Sequence, residues 1–592
     1  MGSFPSVIIG SDHQPTCPIK DLSPMMTFRN RLLESQDFMI GVELVTTRGT
    51  MQDTKARRTR RLASQLTDYE KIDWVSITDN AGGNPMLSPM ALGKNILYAG
   101  KDVVIHLSCK DFNRHGLEST AWQLASEGFS NILALSGDYP SGGYRGIAKS
   151  VFDIDSVGLL TLLDEMNRGF GRPSVSHQGE TTSPSLKPTN LLAGAVATNF
   201  KRHENEVVPQ YLKMEKKLQV GARFLIAQIG FDTRKSHEML TYLAQHGWSQ
   251  VPLIGNVFLL TKRTADFFRS QRIPGVIISD PLFTLCEQQA KSPDQGQQFF
   301  RELAAQQMAC FRGMGFRGAY LGGVHQMEEI QSILDLEASY APDDWKDFAR
   351  EICYPQPDEF YLYARDPGTG LADRQRLNPD YEKSRKLRRP SKNVTWGYRL
   401  SKWIHEAVFT PGKKIFQWGK AIYGSSRDPT QGPYALRIVE HASKAALFRC
   451  QDCGDCSLPD IAYLCPESQC AKNQRNGPCG GTRNGLCEVD DFECIWSRAY
   501  DRLKFEGREL ALLDHAPVIQ DESLRGTSSW GNTFLGRDHH SQPIPKHDTS
   551  ATDTTIVQPT DPSSPINQDP PTANPPATNP ATATPPTNKP SL

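Results

Sequence analysis

DVVIHLSCKDFNRHGLESTAWQLASEGFSNILALSGD, residues 102–138, reads as a buried strand (VVIHLSC), a helix from Gly116 to Gly128 and a second buried strand (NILAL) that runs into Ser136-Gly137-Asp138. Strands this continuously apolar, separated by a single helix, mark a parallel βαβ unit, because helices cover both faces of a parallel sheet and leave no polar side. His106 and Asp138 fall at or just past the carboxyl ends of their strands, where a parallel barrel gathers its chemistry.

Working outward, seven further features repeat this pattern or interrupt it. Strand candidates FMIGVELV (38–45) and WVSIT (74–78) precede the quoted unit, which supplies VVIHLS (103–108) and NILAL (131–135). LLAGAVAT (191–198), FLIAQIG (224–230), VPLIGNVFLL (251–260) and GAYLGGV (318–324) follow it. Helical stretches lie between them, one opened by Asp232-Thr233 and closed by Gly247. Eight strand–helix repeats argue for an α/β chain built on a (β/α)8 TIM barrel rather than a doubly wound sheet. One connection is too long for a plain turn: residues 139–155 and 167–188 flank a helix, and extra loop at the carboxyl face is expected to wrap a ligand.

The expected organisation is a leader (1–24), the barrel (25–344), a connecting segment (345–445), a small cysteine-rich metal-binding domain (446–510) and a disordered Pro/Thr-rich tail (537–592). The tail cannot bury enough apolar surface to order itself. The basic run KSRKLRRPSKN (383–393) reads as a solvated linker or a face packed on another domain. Lysine plus arginine balances aspartate plus glutamate at 66 each, so no global field points to nucleic acid. No run of about 18 apolar residues occurs, so no membrane span is expected. The first residues lack a basic stretch followed by an apolar core, so a cytoplasmic location is expected, and there clustered cysteines serve as metal ligands more often than as disulfides.

Eight of the thirteen cysteines crowd into residues 450–494: Cys450, Cys453, Cys456, Cys465, Cys470, Cys479, Cys487 and Cys494. The block opens C-x2-C-x2-C, and its fourth cysteine precedes a proline, as in ferredoxin runs, but after a longer gap. Soft thiolates at this density suit an iron–sulfur cluster or tetrahedral zinc, and eight ligands would satisfy two four-coordinate sites.

With both regions in view, the chain resembles the methylenetetrahydrofolate reductases. VELVTTRG, SITDNAGGNP, HLSCKDFNRHGL, NILALSGDYP and GARFLIAQIGFD stand in that family's order. CGDCSLPDIAYLCP, NGPCGGTRNGLCE and WSRAYDRLK are similar to the cysteine-rich C-terminal domain found in the partner subunit of some bacterial reductases. The resemblance implies reduction of 5,10-methylenetetrahydrofolate to 5-methyltetrahydrofolate through bound FAD, with electrons from NAD(P)H or from a redox protein by way of the metal domain. It implies that Glu43 is the acid protonating the folate N10, and that Asp138 tunes the flavin and holds the folate. Thr78, His106, Ser136 and Gly137 match flavin contacts, Lys217 a contact to the flavin's phosphate–ribose portion, and Gln228 the glutamine bonding the pterin. Asp153 and Asn199 fall near further flavin contacts. A homo-oligomer is expected.

The chain departs from the family pattern at Leu44-Val45 and Thr46-Thr47 after the acid, at Gln210 where an acidic flavin contact is common, and after Gly255, where a proline is common. A rival reading makes the barrel a pterin-binding accessory or methyltransferase-pathway protein with a structural zinc domain and no reductase turnover.

Overall fold

Eight parallel strands close on themselves in chain order: β1 (Met39–Leu44), β2 (Trp74–Ile77), β3 (Asp102–Ser108), β4 (Asn131–Leu135), β5 (Leu192–Ala197), β6 (Phe224–Ala227), β7 (Leu253–Phe258) and β8 (Gly318–Gly322), with β8 pairing back onto β1. The structure, a computed structural model, describes residues 27–170, 186–270, 273–387 and 391–542. The expected leader, the middle of the long loop after Phe170 and nearly all of the expected tail lie outside them. Every strand of the sequence reading is present, and helices surround the ring, so the fold is a (β/α)8 TIM barrel.

Alternation along the strands builds two cores. Outward residues such as Val42, Val75, Ile105 and Ile132 pack under the surrounding helices. Inward residues fill the barrel's lower half: Met39, Trp74, Val104, Leu133, Leu192, Phe224, Ile226, Ile254 and Tyr320 form one buried cluster. Its large rings fit because the neighbouring strands offer glycines. A Cβ on Gly41 would fall 2.2 Å from the Trp74 ring, and one on Gly194 would fall 2.2 Å from Phe224. Helix Phe28–Glu34 plugs the amino end, with Phe28 5.2 Å from Trp74 and 5.6 Å from Phe224 between ring centroids. With the bottom filled by rings, only the carboxyl end is left for polar side chains.

Residues 345–377 extend the barrel wall, and helix Pro379–Leu387 then reaches the cysteine-rich region, with Arg385 donating to Glu509 at 2.8 Å and Ser384 accepting from Lys504 at 2.7 Å. Helix Trp345–Glu351 and the antiparallel pair β9 (Tyr363–Arg365) and β10 (Ala372–Leu377) pack on helix Thr233–Gln245. Tyr361 donates to Asp232 at 2.5 Å, and Arg234 donates to the Tyr363 carbonyl at 2.9 Å. Helices Trp396–Val408, Lys414–Gly424 and Tyr434–Phe448 then lead into the cysteine-rich region.

That region does not stop at 510. Asn476 and Val518 exchange hydrogen bonds, Asn532 donates to the Gly454 carbonyl at 2.8 Å, and His539 packs against Asp455. Residues 537–542, placed in the tail by composition, are therefore part of the folded unit, with Asp538 and His539 buried. Composition misses them because what holds them is a set of ion pairs, not apolar area.

Candidate active site and metal centres

Above the aromatic floor, the inward positions turn polar. Glu43 on β1 lies opposite Ser76 on β2 in the sheet register. The Tyr320 hydroxyl on β8 donates to Glu43 Oε2 at 2.6 Å, and Ser76 Oγ lies 2.7 Å from His106 Nε2 on β3. Ser76 is also within hydrogen-bonding reach of the Tyr320 phenol. Four adjacent strands thus string a carboxyl, a phenol, a hydroxyl and an imidazole into one array. Burial pushes the Glu43 carboxyl up, and the Tyr320 hydrogen bond only partly offsets this. Burial drives His106 down to about 3, so its ring is neutral at physiological pH.

Asp138 stands past the end of β4. Its Oδ2 accepts from the Gly82 backbone N–H at 2.9 Å, and burial raises its pKa against the pull of Lys472. Gly137 before it has φ +87, and a Cβ there would meet Lys110 at 2.9 Å and Ser108 at 3.1 Å. The glycine is therefore needed to turn the chain against the end of β3, beyond any approach to a ligand. Gln228 follows β6 with its Oε1 accepting from the Ile229 N–H at 2.9 Å. Glu43, Thr78, His106, Ser136, Asp138 and Gln228 all lie at the carboxyl ends of their strands, around one mouth.

The other side of the mouth is covered by the cysteine-rich region. Ser136 donates to Gln474 at 3.0 Å; Lys213 donates to Gln474 at 2.9 Å and to the Gly477 carbonyl at 3.0 Å; Lys201 donates to the carbonyls of Gly480 and Thr482. Asp155 accepts from the Asn476 backbone at 3.0 Å and lies 3.6 Å from Lys213. The three remaining expected flavin contacts face protein partners. Asp153 pairs with Arg114, Asn199 donates to Tyr211 and to the Lys235 carbonyl, and Lys217 donates to the Val196 carbonyl at 2.6 Å. Burial lowers Lys217 to about 7.

Several buried polar atoms around the mouth have no partner: Thr78 Oγ1, Ser108 Oγ, Thr198 Oγ1, Gln210 Nε2 and Asn256 Oδ1. Buried polar groups are rarely left unpaired, so these suit a planar ligand rich in donors and acceptors. Lys217, expected to meet a flavin's phosphate–ribose portion, is thus engaged by a protein carbonyl.

The eight cysteines separate into two sets of four in chain order. Cys450, Cys453, Cys456 and Cys465 line one cavity with Lys444 and Arg475; Cys470, Cys479, Cys487 and Cys494 line a second with Lys472 and Glu488. All are free thiols. Backbone N–H groups of Asp452 and Val489 point at Cys450 Sγ (3.4 Å) and Cys487 Sγ (3.5 Å), the kind of support a bound thiolate uses. Burial pushes Cys453 and Cys494 up to about 12, so a cation is required before these sulfurs carry charge. The second set adjoins the barrel mouth. Cys479 donates to Glu488 at 3.1 Å, Glu488 pairs with Lys472, and Lys472 donates to the Gly137 carbonyl at 2.7 Å.

Sequence reasoning missed Tyr320, Ser76, Asp155, Lys201, Lys213 and Lys472. Tyr320 and Ser76 sit within apolar strands, and an inward polar residue near a strand's carboxyl end was the available signal. The lysines offered none, because their partners lie more than 250 residues away.

Among the described residues no helix is long and apolar enough to cross a membrane. A family model described as "Methylenetetrahydrofolate reductase" matches residues 29–335, and one described as "Methylene-tetrahydrofolate reductase C terminal" matches residues 434–522. No curated protein matches the chain. Solved structures with a similar barrel include an uncharacterized protein from Clostridium thermocellum that binds two copies of 5-methyl-5,6,7,8-tetrahydrofolic acid (13% identity, 52% of this chain and 97% of that one, TM-score 0.35). A long-chain alkane monooxygenase (10%, 51% and 90%, TM-score 0.31) and a Xanthomonas albilineans dihydropteroate synthase (13%, 51% and 92%, TM-score 0.27) are also similar.

Proposed function

The chain belongs to the methylenetetrahydrofolate reductase family, and we propose that it reduces 5,10-methylenetetrahydrofolate to 5-methyltetrahydrofolate with a bound flavin, FAD in the family pattern. The observation that carries this reading is the two hydrogen-bonded pairs Tyr320–Glu43 and Ser76–His106, set on adjacent strands, with Asp138 at the same mouth. A bound flavin supplies the hydride. Glu43 supplies the proton: burial raises its pKa and so favours the acid form, and donation to the folate N10 opens the five-membered ring to the electrophilic iminium. Tyr320 holds the carboxyl in place and stabilises the carboxylate left behind. Neutral His106 positions the hydroxyl of Ser76. Asp138 and Gln228 hold the pterin, whose edge offers donors and acceptors to both.

The contact series Cys479–Glu488–Lys472–Gly137 supports a second element of the proposal, that the cysteine-rich region holds metal at both sets and passes electrons to the barrel from a redox protein. Zinc at both sets would leave NAD(P)H as the direct reductant.

The decisive experiment is anaerobic mixing of the reduced protein with methylenetetrahydrofolate. Flavin reoxidation coupled to 5-methyltetrahydrofolate formation, lost in Glu43→Gln, supports the reading. A protein that binds the folate, carries no flavin and is indifferent to Glu43→Gln would be the pterin-binding accessory instead. A visible band beyond the flavin's own, bleached by dithionite, supports the relay, and stoichiometric zinc without iron removes it.

A further inference from the structure

Asp460 lies between the third and fourth cysteines of the first set, yet it faces away from them toward the last described residues. Its Oδ2 is 3.0 Å from His539 Nε2 and its Oδ1 is 3.1 Å from His540 Nε2. The other nitrogen of each ring is also held by a carboxylate: His539 Nδ1 lies 2.5 Å from Asp455 Oδ1, and His540 Nδ1 lies 3.2 Å from Asp538 Oδ2. One ligand atom from each of Asp460, His539 and His540 falls within 4.8 Å of the others.

Two features distinguish this cluster from an ordinary ion-pair network. The imidazole centroids are 3.9 Å apart, so if both rings were protonated to satisfy Asp460, two like charges would lie against each other. A single divalent ion takes the place of both protons and removes that repulsion. In addition, Asp538 Oδ1 is buried with no partner, so the carboxylates around the two rings are not all satisfied by protein groups. The separations admit a metal: ligands about 2.1 Å from an ion lie about 3.0 Å apart at right angles and about 3.4 Å apart at tetrahedral angles. Histidines that bind metal through one nitrogen usually donate the other N–H to a carboxylate, which fixes the ring.

We propose that Asp460, His539 and His540 bind one divalent first-row transition-metal ion, with Asp455 and Asp538 orienting the two imidazoles. Two imidazoles and a carboxylate favour zinc, iron or cobalt over magnesium or calcium. The site is separate in chemistry from both cysteine sets, and both histidines lie beyond residue 522, where the family match ends. Its ligands come from both ends of the cysteine-rich region, so the ion would pin the final described turn onto it.

The test uses the full chain with its cysteine sites already loaded, titrated anaerobically with Co(II). One further equivalent is expected, with weak visible bands and without the near-ultraviolet charge-transfer band of thiolate ligation. Asp460→Asn and His540→Ala should each weaken that equivalent at least about 100-fold, and Asp538→Asn about 10- to 100-fold, the range for a group that orients a ligand. His540 is exposed, so His540→Ala decides the matter if Asp460→Asn fails to fold, with unchanged cysteine-bound metal as the sign of an intact fold. Uptake of no further cobalt overturns the proposal. So do sulfur-free bands that persist in both variants.

Discussion

The ammonium of Lys472 donates a 2.7 Å hydrogen bond to the carbonyl oxygen of Gly137, joining residues 335 positions apart. This contact brings a cation of the cysteine-rich region to the shoulder of Asp138. Burial works against the charge on Lys472, but Glu488, Cys479 and Asp138 outweigh it and raise its pKa. Lys472→Met leaves Glu488 and Asp138 without their shared partner in a buried setting. The expected cost is about 3–5 kcal/mol, the range for removing one member of a buried pair. Urea unfolding checks it, and an unchanged midpoint would mean that water already screens the site.

Glu43 acts as an acid only while protonated, so turnover should fall as pH rises through its raised pKa. Glu43→Gln should lower the rate of flavin reoxidation about 10²- to 10⁴-fold, the usual worth of a positioned acid, with folate binding retained. Tyr320→Phe removes a hydrogen bond that favours the carboxylate. Its alkaline limb should therefore move to higher pH by about 1–2 units, the equivalent of one hydrogen bond to a charged group. Stopped-flow pH profiles of the three proteins decide this, and a limb moving downward would contradict the assignment.

Asp155 and Lys213 are almost wholly enclosed, 3.6 Å apart. Burial favours the neutral acid, but Lys213 and the N–H groups of Gly158 and Asn476 prevail and hold the Asp155 pKa below its ordinary value. A carboxyl whose folded pKa is depressed contributes stability that is present above its unfolded pKa of about 3.9 and is lost as pH falls through the folded value. Asp155→Asn should destabilise the protein at pH 7 by about 3–5 kcal/mol and flatten the acid limb of the stability profile. Thermal unfolding between neutral and acidic pH reads both.

The two cysteine sets occupy separate cavities, so the metals proposed for them should be lost separately. Cys453→Ser should remove the metal of the first set and spare the second; Cys479→Ser should do the reverse. Metal analysis of each purified variant tests this. Loss of all metal from either one would show that the sets fill cooperatively.

The barrel was legible because its signals are local. Apolar strands such as VVIHLS and NILAL, each followed by a helix, need only neighbouring residues to be recognised, and Glu43, His106 and Asp138 advertise themselves as polar groups at strand ends. The covered half of the mouth was not legible. Helix Glu204–Gln219 has the composition of a solvent-facing helix, yet Glu206, Gln210, Lys213 and Lys216 are all buried. Their burial depends on residues 474–482 and on His515, contributed from far along the chain. The separation of eight cysteines into 450–465 and 470–494 follows chain order, but spacing alone admitted other partitions. Residues 537–542 were misread because their attachment is electrostatic and leaves no apolar pattern.

A ribosome making this protein completes all eight barrel strands long before it reaches Gln474, Gly477 and Gly480. During that interval Lys201, Lys213 and Asp155 stand in an uncovered, hydrated crevice, and the ring is folded without being finished. Maturation therefore has a direction: the later segment must be synthesised before the mouth attains its final walls. If the two cysteine sets hold metal as proposed, a shortage of it would be felt in newly made molecules first, as a pool of well-formed barrels with the mouth unfinished.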